Sequence, residues 1–129
     1  MTTETTTTTT AIAQDAARAY LETWNATDEA HRDQLLASYW SPDVAYVDPL
    51  VAVRGRDGVG AVVAGVHGQF PGAVFSLIGE VDWHHDQLRF RWGLGPAGAD
   101  PVVIGFDVVV LDRQGRIEDV RGFLDLVPQ

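Results

Sequence analysis

Three residues stand out for chemistry: Tyr20, Asp48 and Asp107. Asp48 ends the stretch "AYVDPL" and shares a strand face with Val44 and Tyr46. A carboxylate at an apolar strand end can serve as a general base if its pKa is modestly raised. Asp before Pro is also common turn chemistry, so the local pattern alone leaves both roles open. Tyr20 lies on the apolar stripe of a helix, where a buried phenol must find a partner for its hydroxyl. It is either a core tyrosine bonded to the backbone or a donor in a site. Asp107 interrupts "VVIGFDVVVL", a strand with two apolar faces. Buried there, a carboxyl keeps its proton and becomes a hydrogen-bond donor; exposed, it is one polar residue on a wet sheet.

The other candidates have simpler readings. His84 and His85 are adjacent, so in a strand they point to opposite faces and do not chelate one ion; a hairpin end is expected. No metal site is expected. His31 and His67 read as helix-surface residues, Asp112 as turn chemistry, and Arg89 and Arg91 as the solvated side of a strand. Trp24, Trp83 and Trp92 fill a core or line an apolar pocket. Phosphate-binding glycine loops and nucleophile-elbow serines are absent from the sequence.

These residues need elements to hold them. Ile12, Ala16, Tyr20 and Trp24 recur every fourth residue and predict a first helix with that stripe inward. Residues 25–28 break it. Thr27 is the expected N-cap of a second helix reaching about Trp40, with Leu35, Leu36, Tyr39 and Trp40 apolar. "SPD" ends that helix, and Val44 to Asp48 form the first strand. A third helix opens near Asp57 and closes at Pro71-Gly72; its Gly60 and Gly65 suggest close packing. Residues 73–83, 86–94, 101–111 and 116–127 read as four strands joined by short turns, hence an antiparallel sheet. Helices first and strands afterwards is an α+β layout with a pocket between the layers.

The 129 residues fit one domain, and a hydrophobic fraction of 46% supports a real core. The "MTTETTTTTT" tail has nothing to bury, so residues 1–11 are expected to be disordered and residues 12–129 to form the domain. A net charge of −9 without a basic patch argues against nucleic acid. No stretch has membrane-spanning length and no export signal is visible, so no membrane partner and a cytoplasmic location are expected. The lack of cysteine excludes disulfides and thiolate chemistry.

The motifs "AYLETWNATD", "VAYVDPL" and "GFDVVVLDRQGRIEDVRGFL" resemble the nuclear transport factor 2-like superfamily, and within it the bacterial ketosteroid isomerases, over roughly residues 13–126. The resemblance implies a cone-shaped α+β fold: three helices on a curved antiparallel or mixed sheet around an apolar pocket. By the same likeness Asp48 matches the general base, Tyr20 the oxyanion-hole tyrosine and Asp107 the aspartic acid that stays protonated. Ketosteroid isomerase is the standard illustration of this division of roles. Trp24, Tyr46, Phe90, Trp92 and Val109 would line the pocket. The implied activity is allylic isomerisation of a hydrophobic enone, with no cofactor and with a homodimer as the expected assembly. A polyketide-cyclase-like or epoxide-hydrolase-like enzyme of the same fold, or a non-catalytic binding module, are the alternatives.

Overall fold

The computed structural model describes residues 10–128. The chain runs α1 (Thr10–Asn25), α2 (Glu29–Tyr39), β1 (Trp40–Val47), β2 (Ala52–Arg54), α3 (Gly55–Gln69), β3 (Ala73–His84), β4 (Gln87–Pro96), β5 (Val103–Leu111) and β6 (Ile117–Leu126). Helices cover one side of a curved, unclosed sheet in the order β2-β1-β6-β5-β4-β3. Thr10 and Ala11 belong to α1; the rest of the tail read as disordered lies outside the described residues.

The stripe of α1 meets the core from Ala13 through Ala16, Ala17 and Tyr20 to Trp24, at the spacing that keeps one helix face inward. Ile12, expected on that stripe, is instead 40% exposed. α1 ends on Asn25, whose amide exchanges two hydrogen bonds with the backbone of Phe75, at 2.9 and 2.7 Å. The side chain thereby acts as a strand neighbour and pins the helix end to β3. α2 is capped by Asp28, which accepts from the His31 N–H at 2.9 Å. The cap expected at Thr27 therefore sits one residue later.

No loop separates α2 from β1. The helix stops at Tyr39, which is exposed, and Trp40 already has extended backbone. Pro42 falls where β1 slips in register against β6, a place that needs no donor from it. β2, unforeseen, is three residues long and pairs antiparallel with β1. α3 opens at Gly55 rather than at Asp57. Gly60 does approach Leu36: an added Cβ would come within 3.3 Å of its Cδ1. Gly65 has nothing within 4 Å, so close packing does not explain it.

Strands β3 to β6 form an antiparallel meander within two residues of the expected bounds. His85 sits in the β3–β4 turn at φ 52°. The sheet is mixed, because β1 runs parallel to β6. That is one of the two forms the resemblance implied: the four consecutive strands are antiparallel, and β1, separated from β6 by other elements, need not turn back beside it. Burial alternates strictly along β5, with Val103, Gly105, Asp107, Val109 and Leu111 inward. No helix among the described residues is long and apolar enough to cross a membrane.

Candidate active site

An apolar cavity of about 350 Å³ lies between the helices and the inner sheet face. Tyr20, Trp24, Tyr46, Asp48, Phe75, Trp92 and Asp107 contribute to its wall, and Leu50, Phe123 and Val127 stand at exposed positions around it. The volume is at the small end of ligand sites.

Tyr20 and Asp107 form its deepest polar pair. The Tyr20 hydroxyl donates to Asp107 Oδ2, joining the middle of α1 to the middle of β5. Both residues are 2% exposed. Aromatic packing fixes the phenol: its ring stacks on Trp40 at 5.5 Å and meets Phe90 edge-on at 5.2 Å. Phe90 is directly opposite Asp107 in the β4–β5 register, so one strand of the pair orients the donor and the other supplies the acceptor. Burial holds the Tyr20 pKa well above the usual phenol range, and the Asp107 charge adds to this. The phenol therefore keeps its proton.

The Asp107 carboxyl is pushed up to about 7, chiefly by burial. The Tyr20 hydrogen bond and the proximity of the Trp92 N–H pull it down, while the charge of Asp48 pushes it up. Desolvation wins, as expected for a carboxyl with no cation beside it.

Asp48 sits just beyond β1 and is half-buried. Its Oδ1 accepts from the N–H groups of Leu50 and Val51 at 2.8 and 3.0 Å, and its own N–H donates to the Val51 carbonyl at 2.9 Å. That is the side-chain-closed turn an Asp-Pro step favours. Its Oδ2 accepts from the Tyr46 hydroxyl at 2.7 Å. Turn residue and cavity residue are thus one and the same: the turn takes Oδ1 and leaves Oδ2 to the phenol and the cavity. Burial, followed by the two carboxylates, raises the Tyr46 pKa far above its ordinary value, so its hydroxyl also remains a donor.

Two glycines make room for this arrangement. Gly122 on β6 is register-paired with Asp107; a Cβ there would lie 2.7 Å from Asp107 Oδ1 and 3.5 Å from Asp48 Cβ. It keeps the space between the two carboxyl residues open. Gly105 is paired with Trp92, whose indole lies over it; a Cβ would come within 2.1 Å of the ring. Neither was singled out in the sequence, although glycine inside a strand is itself a sign of close approach.

Of the expected wall residues, Trp24, Tyr46 and Trp92 face the cavity, with Phe75 joining Trp24 and Trp92 at ring distances of 5.4 and 5.3 Å. Phe90 and Val109 do not line it. They point inward from the sheet but pack beneath the wall: Phe90 under Tyr20, Val109 between Leu88 and Val120 in the register. His67 is not a free surface residue either. Its Nε2 is 2.6 Å from the Trp24 carbonyl oxygen, which can only accept, so Nε2 carries the hydrogen. Phe75, Val66, Phe70 and Leu94 on the wall went unnoticed because they look like any core residue. No group of three His, Cys, Asp or Glu residues among those described is placed to hold a metal ion.

Comparison with known proteins gives this geometry a family. The SnoaL-like domain model matches residues 17–120, a span that contains Tyr20, Asp48 and Asp107. A candidate isomerase of the SnoaL-like family from Agrobacterium tumefaciens str. C58 is 38% identical, with a TM-score of 0.84 over 89% of this chain and 98% of that one. A candidate ketosteroid isomerase from Kribbella flavida DSM 17836 is 16% identical, with a TM-score of 0.68 over 93% of this chain and 82% of its own. A candidate polyketide cyclase from Sinorhizobium meliloti is 15% identical, with a TM-score of 0.66 over 84% and 93%. The last two likenesses concern the fold alone. None of the curated proteins matches this chain. On the family match and the fold together, the chain belongs to the SnoaL-like family of the nuclear transport factor 2-like superfamily.

Proposed function

We propose that this protein is a small-molecule proton-transfer enzyme of the ketosteroid isomerase type, shifting a double bond in a hydrophobic enone through a dienolate. The observation that carries the reading is the Tyr20–Asp107 hydrogen bond, set in the same apolar cavity as Asp48. Removing a proton beside a ketone builds charge on the carbonyl oxygen, so a base is needed at carbon and prearranged donors at oxygen. Asp48 is the base, taking the proton on Oδ2 and returning it to a second carbon. Tyr20 and protonated Asp107 receive the oxygen, with the ketone replacing Asp107 as the acceptor of the Tyr20 hydrogen bond. The 38%-identical relative described as a candidate isomerase supports this class of reaction.

An epoxide-hydrolase-like reaction fits less well. It calls for an arginine between two aspartates around a water, and the residues around this cavity include no arginine. The test is conversion of a β,γ-unsaturated 3-ketosteroid to its conjugated isomer, followed by absorbance. Wild type should exceed Asp48→Asn; equal background rates would sink the reading. We also propose a cytoplasmic homodimer. The side of β5 away from the cavity carries half-buried Ile104, Phe106, Val108 and Val110, and Phe123, paired with Phe106, is 61% exposed. Sedimentation showing only monomer would remove the dimer.

A further inference from the structure

Two buried donors in this cavity have no partner. The indole N–H groups of Trp24 and Trp92 are the only tryptophan nitrogens among the described residues to be both buried and without a hydrogen bond. Their side chains are 4% and 9% exposed. An orphaned buried N–H costs more than an ordinary hydrogen bond contributes, so most are satisfied. Trp40 follows that rule: its N–H donates to Thr23 Oγ1 at 3.0 Å, and Thr23 in turn donates to the Ala19 carbonyl. The two exceptions both stand on the cavity wall.

Their positions are specific. The Trp92 indole lies over Gly105, and its nitrogen would be 2.7 Å from a Cβ there. Gly105 precedes Asp107 by two residues on the same strand face, so the N–H stands beside the Asp107 carboxyl. The Trp24 ring lies between two phenols, 6.0 Å from Tyr20 and 5.7 Å from Tyr46. An indole nitrogen donates and never accepts. In the free protein the Tyr20 hydroxyl donates to Asp107 and its acceptor side is unused, and neither indole reaches hydrogen-bond geometry.

We propose that Trp24 and Trp92 are positioning residues of the oxygen-binding floor, whose indole N–H groups close on Tyr20 and Asp107 when a ligand oxygen takes over the Tyr20 hydrogen bond. This rests on the proton-transfer reading of the same site and names what sets it in place. As Tyr20 turns its O–H to a more negative ligand oxygen, its own oxygen becomes a stronger acceptor, which the Trp24 N–H meets. Asp107, released by Tyr20, takes the Trp92 N–H on the oxygen it does not use to donate. The favoured ligand is a flat apolar molecule with one ionisable oxygen, a phenol or an enol. Each N–H lies near enough to its neighbour to pull that group's pKa down, Trp24 on Tyr20 and Trp92 on Asp107.

The test uses wild-type protein with 15N-labelled indoles, and 2-naphthol as the probe beside naphthalene, which lacks the oxygen. On 2-naphthol binding the N–H signals of Trp24 and Trp92 should move downfield, and that of Trp40, already bonded, should stay. Naphthalene should move none of them downfield. The proposal is overturned if 2-naphthol does not bind, if both signals stay, or if naphthalene shifts them equally. Trp92→Phe adds a readout that simple packing would not change. Loss of its N–H should raise the pH midpoint of 2-naphthol binding that follows Asp107, whose titratable neighbours are Tyr20 on α1, Tyr46 on β1 and Asp48 in the turn after it. Below that midpoint affinity should fall about twofold to tenfold, the range for a hydrogen bond between neutral groups. An unmoved midpoint overturns the Trp92 assignment. A protein that binds 2-naphthol in this way but fails to isomerise the steroid loses the reaction and keeps the indole assignment.

Discussion

Asp48 and Asp107 are the same side chain on the wall of one cavity, and the chain treats them differently. Asp48 stands at a turn, half-buried, and accepts from two backbone N–H groups and one phenol. Asp107 stands mid-strand, 2% exposed, with one protein donor, and its pKa is pushed up to about 7. The turn supplies backbone donors because its amides are not used by the sheet. The strand supplies none, because its amides are spent on the ladder. Secondary structure thus decides how many donors each carboxyl meets, and the proposed split into base and proton-holding acid rests on that difference.

The comparison can be broken by experiment. Asp48→Asn removes the proposed base and should lower steroid turnover by about a hundredfold to ten-thousandfold, with the fold intact by circular dichroism. Equal loss in both Asp variants, with one shared pH profile, would erase the distinction between them. Tyr20→Phe removes a donor and should cost about a hundredfold to a thousandfold in turnover. It should also raise the Asp107 pKa further, since the Tyr20 bond pulls it down; carboxyl carbon shifts during a pH titration would read this.

Stability tests the other half. Below about pH 4 the Asp107 carboxyl is protonated in both folded and unfolded chains, so it adds no pH dependence there. As pH rises toward 7 the unfolded chain gives up the proton and the folded one keeps it, so stability falls across that window. Asp107→Asn has no such loss. Its stability relative to wild type should rise between pH 4 and 7 by on the order of 4 kcal/mol for a shift of this size, measured by urea unfolding. A constant difference would mean that burial does not hold the proton. The smallest effect is at Gly122. Gly122→Ala presses a Cβ on Asp107 and should cost about 1–3 kcal/mol in the same assay, with Tyr20–Asp107 coupling weakened.

Much of this was legible in the residues. A lone carboxylate in "VVIGFDVVVL" and a tyrosine on a helical stripe are both anomalies of pattern, and anomalies can be read. Asp48 was ambiguous because its turn and cavity roles use different oxygens and so do not compete. Phe90 and Val109 had the right strand parity, but parity says only inward; how far the helices come down decides wall or floor. Gly105 and Gly122 escaped notice because their role depends on what lies across the sheet. β2 is too short to leave a period, and the parallel pairing of β1 with β6 is a matter of topology that no local window contains.

That pairing has a consequence for how the protein comes into being. Tyr46 and Val120 are neighbours across it, and Tyr20 and Asp107 are 87 residues apart in sequence. Bringing such distant segments together costs loop entropy before any contact repays it, which slows folding. Asp48 and Asp107 come to face one cavity only when β6 has docked beside β1. The cavity therefore takes shape only after β6 has been made and has docked between β1 and β5.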